Sequence, residues 1–372
     1  MNIALLTYST KPRGGVVHTL ALAEALTAAG ATVTVWTLGR GGDEGFFRPL
    51  DPAVRQVIVP FPDREGEGVG GRVLRSIATL RDAFDPAGYD IVHAQDCISA
   101  NAAGRCVRTV HHIDHFTTPE LAACHERAIR RPFGHVCVSR SVARELRDGW
   151  GIDATVIPNG VDAARFAAAA GPPMAPERAR WQSRLGSYVL AVGGIEPRKG
   201  SLDLLESFAR LRRSRPSVRL VIAGGETLFD YRPYRAQWEA RARALGIEPI
   251  VLGPVPHDDL PSLVAAAAVF AFPSTVEGFG LAAMEALAAG VPLVTRDLPV
   301  LREVFGGAAR FGADAPGIAA ALGDALDRPD PALAAAGRSL AARHTWQAAA
   351  RRHLEFYGSR PTAGLPGSRT AR

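Results

Sequence analysis

The sequence predicts an α/β protein of two doubly wound parallel-sheet domains. Short apolar runs alternate with amphipathic helical segments through the first half, and the alternation begins again in the second. Glycine-rich turns follow predicted strands at 9–15, 193–200 and 274–280. The length of 372 residues is enough to bury two such cores.

The first strand is expected over 2–8 and the first helix over 15–29, with Val16, Leu20, Ala23 and Leu26 on one face. Between them runs Ser-Thr-Lys-Pro-Arg-Gly14-Gly15, a strand–turn–helix opening without the G-x-G-x-x-G dinucleotide fingerprint. A second strand is expected over 31–38, with mobile loops at 39–45 and 60–71. The segment 72–84 reads as a helix with Val73, Leu74, Ile77, Leu80 and Phe84 on one face and Arg72, Arg75 and Arg81 elsewhere. Such a face packs on its own sheet or touches an anionic bilayer, and weak peripheral membrane contact stays open. Strands follow at 91–94, 107–110 and 135–139. The second of these runs into His111-His112-Ile-Asp114-His115. Histidine at a strand's C-terminal end suits contact with a sugar or proton transfer. These residues also raise metal binding, but His111 and His112 point to opposite faces in an extended segment, and the expectation is no metal. Ser139 is a candidate N-cap for a helix reaching Asp148.

Asn159-Gly160 marks a turn, and the Ala/Gly/Pro-rich stretch beyond it reads as a linker over 166–183. The domains are thus expected over 1–165 and 184–344. In the second, a strand at 188–192 leads to Gly193-Gly194-Ile-Glu-Pro-Arg198-Lys199-Gly200 and a helix. Cations at a helix N-terminus oppose its dipole unless an anion is bound there. Lys11 and Lys199 are the only lysines in the chain, and both sit in glycine-rich loops after strands. Further strands are expected at 219–223, 249–252, 269–272 and 292–295, and helices at 258–267, 315–327, 331–342 and 346–356.

The stretch 274–295 organises the whole. Glu277 falls in a loop after a buried strand, Gly278 and Gly280 flank a helix start, and Glu285 lies on the helix that Gly290 and Pro292 end. Bare amides and missing Cβ atoms make the start an anion site, and two carboxylates beside it suit hydroxyls. Phosphates together with hydroxyls describe a nucleotide sugar.

Composition sets the outer limits. Hydrophobic residues make up 47% and charged residues 22%, as in ordinary globular proteins. No run of about eighteen apolar residues predicts a membrane span, and no signal peptide is read, so a cytoplasmic enzyme is expected, with a place at the inner membrane face left open. Cys97, Cys106, Cys124 and Cys137 show neither zinc nor disulfide spacing and read as buried thiols. The net charge of +6 fits anionic substrates; without a nucleic-acid motif or interleaved aromatics, nucleic acid is not an expected partner.

Glu277-Gly-Phe-Gly-Leu-x-x-x-Glu285-Ala, closed by Gly290-Val-Pro, resembles the signature of family 4 of the glycosyltransferases, and Ile157-Pro-Asn-Gly-Val-Asp162 resembles that family's interdomain junction. The resemblance implies a GT-B fold, two Rossmann-like domains facing across a cleft. It implies a retaining, metal-independent enzyme that uses a UDP-, GDP- or ADP-sugar as co-substrate, needs no cofactor, and acts on a sugar, lipid or small-molecule acceptor. By the same resemblance the helix at 345–358 crosses back to the first domain; the Pro/Gly/Ser/Arg-rich composition of 359–372 predicts a disordered tail. Lys199 would hold the pyrophosphate and Glu285 the ribose. Glu277 would bind a sugar hydroxyl, and His111 would line the reacting face. Gly14, Gly15, Gly193, Gly194, Gly278, Phe279, Gly280 and Leu281 would approach the phosphates, and backbone near Leu252 and Val255 the base. The family commonly has Gly-Arg where this chain has Gly193-Gly194, and Arg198 is the candidate substitute. A GT-B epimerase or phosphorylase and a non-catalytic nucleotide-sugar sensor are the alternative readings. Donor base, sugar, acceptor identity and oligomeric state are not readable.

Overall fold

The computed structural model describes residues 1–113, 116, 118–225 and 231–359. Asp114, His115 and the tail from 360 onward lie outside the described residues. The chain divides into two compact units, Met1–Gly160 with the C-terminal segment from Trp346, and Val161–Thr345.

Unit 1 contains β1 (Asn2–Leu6), α1 (Gly14–Ala28), β2 (Thr32–Arg40), β3 (Arg55–Phe61), α2 (Val69–Ala83), β4 (Ile91–Ala94), α3 (Cys97–Ala103), β5 (Val107–Val110), α4 (Pro119–Arg130), β6 (Gly134–Cys137), α5 (Arg140–Trp150) and β7 (Thr155–Val156). Its sheet order is β3-β2-β1-β4-β5-β6-β7, every pairing parallel. Alternation along β1 sends Ile3 and Leu5 into one core and Ala4 and Leu6 into the other, so helices must cover both faces.

Unit 2 contains α6 (Ala163–Ala170), α7 (Ala175–Leu185), β8 (Tyr188–Val192), α8 (Ser201–Arg212), β9 (Arg219–Ala223), α9 (Arg232–Ala244), β10 (Ile250–Gly253), α10 (Leu260–Ala265), β11 (Val269–Phe272), α11 (Leu281–Ala288), β12 (Leu293–Arg296), α12 (Pro299–Phe305), β13 (Arg310–Gly312), α13 (Ala315–Asp327) and α14 (Pro331–Arg343). Its sheet order is β10-β9-β8-β11-β12-β13. The last helix, α15 (Trp346–Gly358), places Ala349, Ala350, Phe356 and Tyr357 in the unit 1 core beside Leu20 and Leu26 of α1.

Both sheets reverse their strand order once, between β1 and β4 and between β8 and β11. Ligands of open parallel sheets bind outside the strand C-terminal ends at such a reversal. The two loops that matter most, after β8 and after β11, meet at the reversal of unit 2.

Several expectations need correction. The predicted linker 166–183 is largely helical: Asp162 caps α6 by accepting from the Arg165 backbone N–H at 3.2 Å, and Phe166 and Trp181 are buried. The division falls after Gly160 instead of at 165. The loop read at 60–71 begins inside a strand, because β3 is the sheet edge and Pro60 needs no ladder N–H there. Likewise 39–45 is partly strand, and its Asp43 accepts from Lys11 Nζ at 2.9 Å and from the Thr10 hydroxyl. Helix α2 starts at Val69 instead of residue 72. Helices α3, α4 and α9 and strands β3 and β13 had no counterpart in the prediction. Ser139 does cap α5, accepting from Val142 N–H. All four cysteines are free; Cys106, Cys124 and Cys137 are buried and Cys97 partly so.

Candidate active site

In unit 2 the loop after β8 ends in a 3-10 turn, Pro197–Lys199, closed by Gly200 in a left-handed conformation (φ 64°). A Cβ on Gly200 would lie 2.2 Å from the Pro273 carbonyl oxygen, so glycine alone lets this loop lie against the loop after β11. The loops are joined where Thr275 N–H donates to the Arg198 carbonyl (2.8 Å). Arg296, at the end of β12, donates from Nε to the Pro273 carbonyl (3.0 Å) and pairs with Asp203 on α8.

This join brings the predicted charges together. Lys199 Nζ lies 2.9 Å from Glu277 Oε2, and an Arg198 guanidinium nitrogen lies 3.6 Å from the same oxygen. Arg198 also reaches Glu196 Oε1 at 3.6 Å, a partner that composition and motif did not single out. Glu277 Oε1 accepts from Gly278 N–H (3.2 Å), and Lys199 stands over the Phe272 ring at 5.2 Å. Glu277 keeps 12% side-chain exposure and Lys199 22%, so both are held by protein yet open to a ligand. The stem of Lys199 runs past Gly193, whose added Cβ would sit 3.6 Å from Lys199 Cε. Gly194 follows in the same loop. Gly224 packs on the Gly193 backbone, and its N–H donates to the Gly253 carbonyl (2.9 Å), so the end of β10, with Leu252 in the strand and Val255 just beyond, adjoins the loop.

Gly280 (φ 95°) precedes α11, with Leu281 as its first residue; a Cβ there would press to 3.1 Å on Phe272 and Phe305. Phe279 is 3% exposed, and its ring packs near His344 at 5.6 Å. Glu285, one turn into α11, is half-buried. Burial pushes its carboxyl up to about 8, against the opposing pull of the Arg165 guanidinium. Arg165 is fixed by donating to the His257 carbonyl. Sequence reasoning missed it because Arg165 stands at the very edge of the segment 166–183 that reads as a linker, where no partner is expected.

His111 of unit 1 lies just past β5, as expected. Its ring meets His18 edge to face at 4.7 Å and approaches Gly15 in the first turn of α1, where an added Cβ would stand 3.8 Å away; Gly14 starts that helix. His18 is buried and donates from Nδ1 to Asn159 Oδ1 (2.9 Å). Behind it, Nδ1 of His93 meets the Tyr357 hydroxyl (2.6 Å) and Nε2 the Thr109 hydroxyl (2.8 Å), while His353 Nδ1 donates to the Ala349 carbonyl. Burial lowers His18, His93 and His353 below the ordinary histidine range, His353 to about 4. Among the described residues no three His, Cys, Asp or Glu side chains converge as metal ligands, and no helix is long and apolar enough to cross a membrane.

The chain is similar to known proteins in both halves. A family described as "Glycosyl transferases group 1" matches residues 177–328, and one described as "Glycosyltransferase Family 4" matches residues 12–165. The phosphatidyl-myo-inositol mannosyltransferase of Mycobacterium tuberculosis is 30% identical, with 94% of each chain covered. Sucrose-phosphate synthase from Thermosynechococcus elongatus shares the fold with a TM-score of 0.78 at 20% identity, covering 96% of this chain and 98% of that one. HepE of Anabaena, solved with UDP-glucose, does so with a TM-score of 0.74 at 18% identity, covering 96% and 100%. The solved structures place the chain in the GT-B fold. The chain belongs to family 4 of the glycosyltransferases.

Proposed function

We propose that the protein transfers a glycosyl group from a nucleoside diphosphate sugar to an acceptor hydroxyl, with retention of anomeric configuration and without a metal. The observation that carries this reading is the meeting of Lys199 and Arg198 on one oxygen of Glu277 at the strand reversal of unit 2. Without ligand the two cations share that carboxylate. With a donor bound, the cations turn to the pyrophosphate and Glu277 is left to accept from a sugar hydroxyl.

In the transfer, the anomeric C–O bond breaks and its electron pair stays on the diphosphate. The acceptor oxygen bonds to the anomeric carbon from the same face, and its proton passes to the departing phosphate oxygen. Charge builds on the diphosphate, where preorganised cations and amides lower the barrier most. Lys199, Arg198 and the backbone from Gly278 to Leu281 supply them in this reading, with Arg198 standing in for the arginine that Gly194 lacks. Glu285 accepts from the ribose hydroxyls, Leu252 and Val255 border the base, and His111 and the Gly14-Gly15 turn serve the reacting end. HepE was solved with UDP-glucose, which supports a UDP-sugar as the first donor to try.

The test is diphosphate release from UDP-, GDP- and ADP-sugars, with and without EDTA, for wild type and Glu277→Ala. Release from one donor series that resists EDTA and is lost in the variant supports the reading. Binding without release or transfer for every donor leaves the sensor reading. A product of inverted anomeric configuration by NMR overturns retention.

A further inference from the structure

Some half-buried arginines of unit 1 are committed to a carboxylate. Arg75 holds Glu67 with two bonds of 2.7 and 2.6 Å, and Arg48 holds Glu24 in the same way. Arg40, the last residue of β2, is different. Its Nε donates to the Tyr8 carbonyl (3.2 Å) and one terminal nitrogen, Nη2, donates to the Ser76 hydroxyl of α2 (2.8 Å). The guanidinium carbon stands 5.4 Å from the Tyr8 ring centre and 5.2 Å from that of Phe61. Among the described residues no carboxylate lies within ion-pair distance of it. Asp96, the acid whose field reaches Arg40, is turned to cap α3, accepting from Ser99 N–H at 2.8 Å. Ser76 in turn donates to the Arg72 carbonyl, which sets Arg72 one turn away on α2 and adds a second cation to the field.

A guanidinium has five N–H donors in a planar fork. Two of Arg40's are used, which leaves Nη1 and the second N–H of Nη2 as an unspent edge. That edge lies at the C-terminal end of β2, the neighbour of β1 and so one strand removed from the reversal between β1 and β4, on the side of the sheet where ligands bind. A half-buried cation held in position by a carbonyl, a hydroxyl and two rings, with no counter-ion, is an unrelieved electrostatic cost. An oxyanion docking on the fork would relieve it, and guanidinium matches phosphate bidentately.

We propose that the acceptor carries a phosphate group and that Arg40 receives it. The proposal rests on the glycosyl-transfer reading for the word acceptor, and the site itself is tested apart from it. Inorganic phosphate is titrated calorimetrically into the full-length protein at constant ionic strength, with UDP present in excess to occupy unit 2. Wild type is compared with Arg40→Gln and with Arg81→Gln, an exposed arginine of α2 that controls for net charge.

The expected result is a phosphate-binding component lost in Arg40→Gln and kept in Arg81→Gln, the loss being about tenfold to a hundredfold in affinity, as for a hydrogen-bonded charged group. Equal phosphate binding in wild type and Arg40→Gln, or none in either, overturns the proposal. Circular dichroism and UDP titration of Arg40→Gln confirm that the variant is folded. Glucose 6-phosphate and phosphatidylinositol vesicles then separate a soluble phosphate ester from a lipid headgroup by which of them shows the Arg40-dependent component. Failure of UDP-, GDP- and ADP-sugars to bind or react would count against the glycosyl-transfer reading and leave the phosphate titration standing.

Discussion

Replacing Glu285 with glutamine is expected to stabilise the empty protein in alkali while weakening nucleoside binding. Burial holds this carboxyl at about 8 against an ordinary 4.5. Between those values the unfolded chain has released the proton and the folded chain retains it. Stability therefore falls as pH rises from the unfolded value to the folded one and is level above it. Each pH unit inside that window corresponds to about 1.4 kcal/mol, so Glu285 costs about 4 kcal/mol more at pH 9 than at pH 5. Glutamine has the shape of the protonated acid and does not titrate, so the difference between variant and wild type isolates this one group. Asp162 raises the value further and Arg165 lowers it, and both are present in the two proteins alike. Thermal or urea denaturation at about pH 5, 7 and 9 reads the effect. A domain of this size moves by about 2–4 °C per kcal/mol, so the variant should gain roughly 8–16 °C over wild type between the two extremes. A difference that does not change with pH would refute the reasoning. On nucleotide binding the ribose hydroxyls would favour the ionised form. Wild type should then release protons near neutral pH, seen as buffer-dependent binding heat, and Glu285→Gln should not.

Three other outcomes are expected. Lys199→Ala should weaken nucleoside diphosphate affinity about tenfold to a hundredfold while leaving nucleoside affinity nearly unchanged, because only the charge-assisted phosphate contact is removed; equal losses for both ligands by calorimetry would contradict the assignment. Gly200→Ala should lower the melting temperature and, by displacing the Pro273 loop, the donor affinity, since its left-handed φ and the 2.2 Å contact with a carbonyl both resist a Cβ; unchanged melting would contradict it. Unit 1 should lose stability as pH falls below the ordinary histidine value of 6.5, because the unfolded chain takes up protons that His18, His93 and His353 refuse; His353, held at about 4, contributes about 3 kcal/mol of that loss. Trp346, whose ring is 5.4 Å from His18, should report the transition by fluorescence, and His353→Asn should make it shallower.

Local chemistry wrote much of this protein into its sequence. Buried strands such as Val269–Phe272 are continuous apolar runs, and Gly280, Leu281 and Glu285 follow from a helix that needs a glycine start and a partner-facing carboxylate. The strand–loop–helix at Glu277–Glu285, the Lys199 loop and the place of His111 at a strand end were therefore readable, as were two doubly wound domains; the GT-B fold came from the resemblance that the Glu277–Glu285 motif carries. Edge strand β3, with proline inside it, was not: its place depends on which side of β2 is left open, a property of the sheet and not of residues 55–61. Nor were α6 and α7, whose alanine-rich composition looks like a spacer until Phe166 and Trp181 find a core to enter.

Which residue types stand at which strand ends is legible along the chain, because alternation, glycine turns and helix starts act over a few neighbours. Tertiary structure alone decided which of those ends meet. Lys199 and Glu277 are 78 positions apart and touch because β8 and β11 are adjacent in the sheet. Among the described residues Arg40 meets no carboxylate and Arg75 meets Glu67 because of how β2, β3 and α2 pack, and no spacing of charges along the chain distinguishes the two. Long-range pairing sets these partners, and burial then sets their charge, as the raised carboxyl of Glu285 and the neutral His353 show.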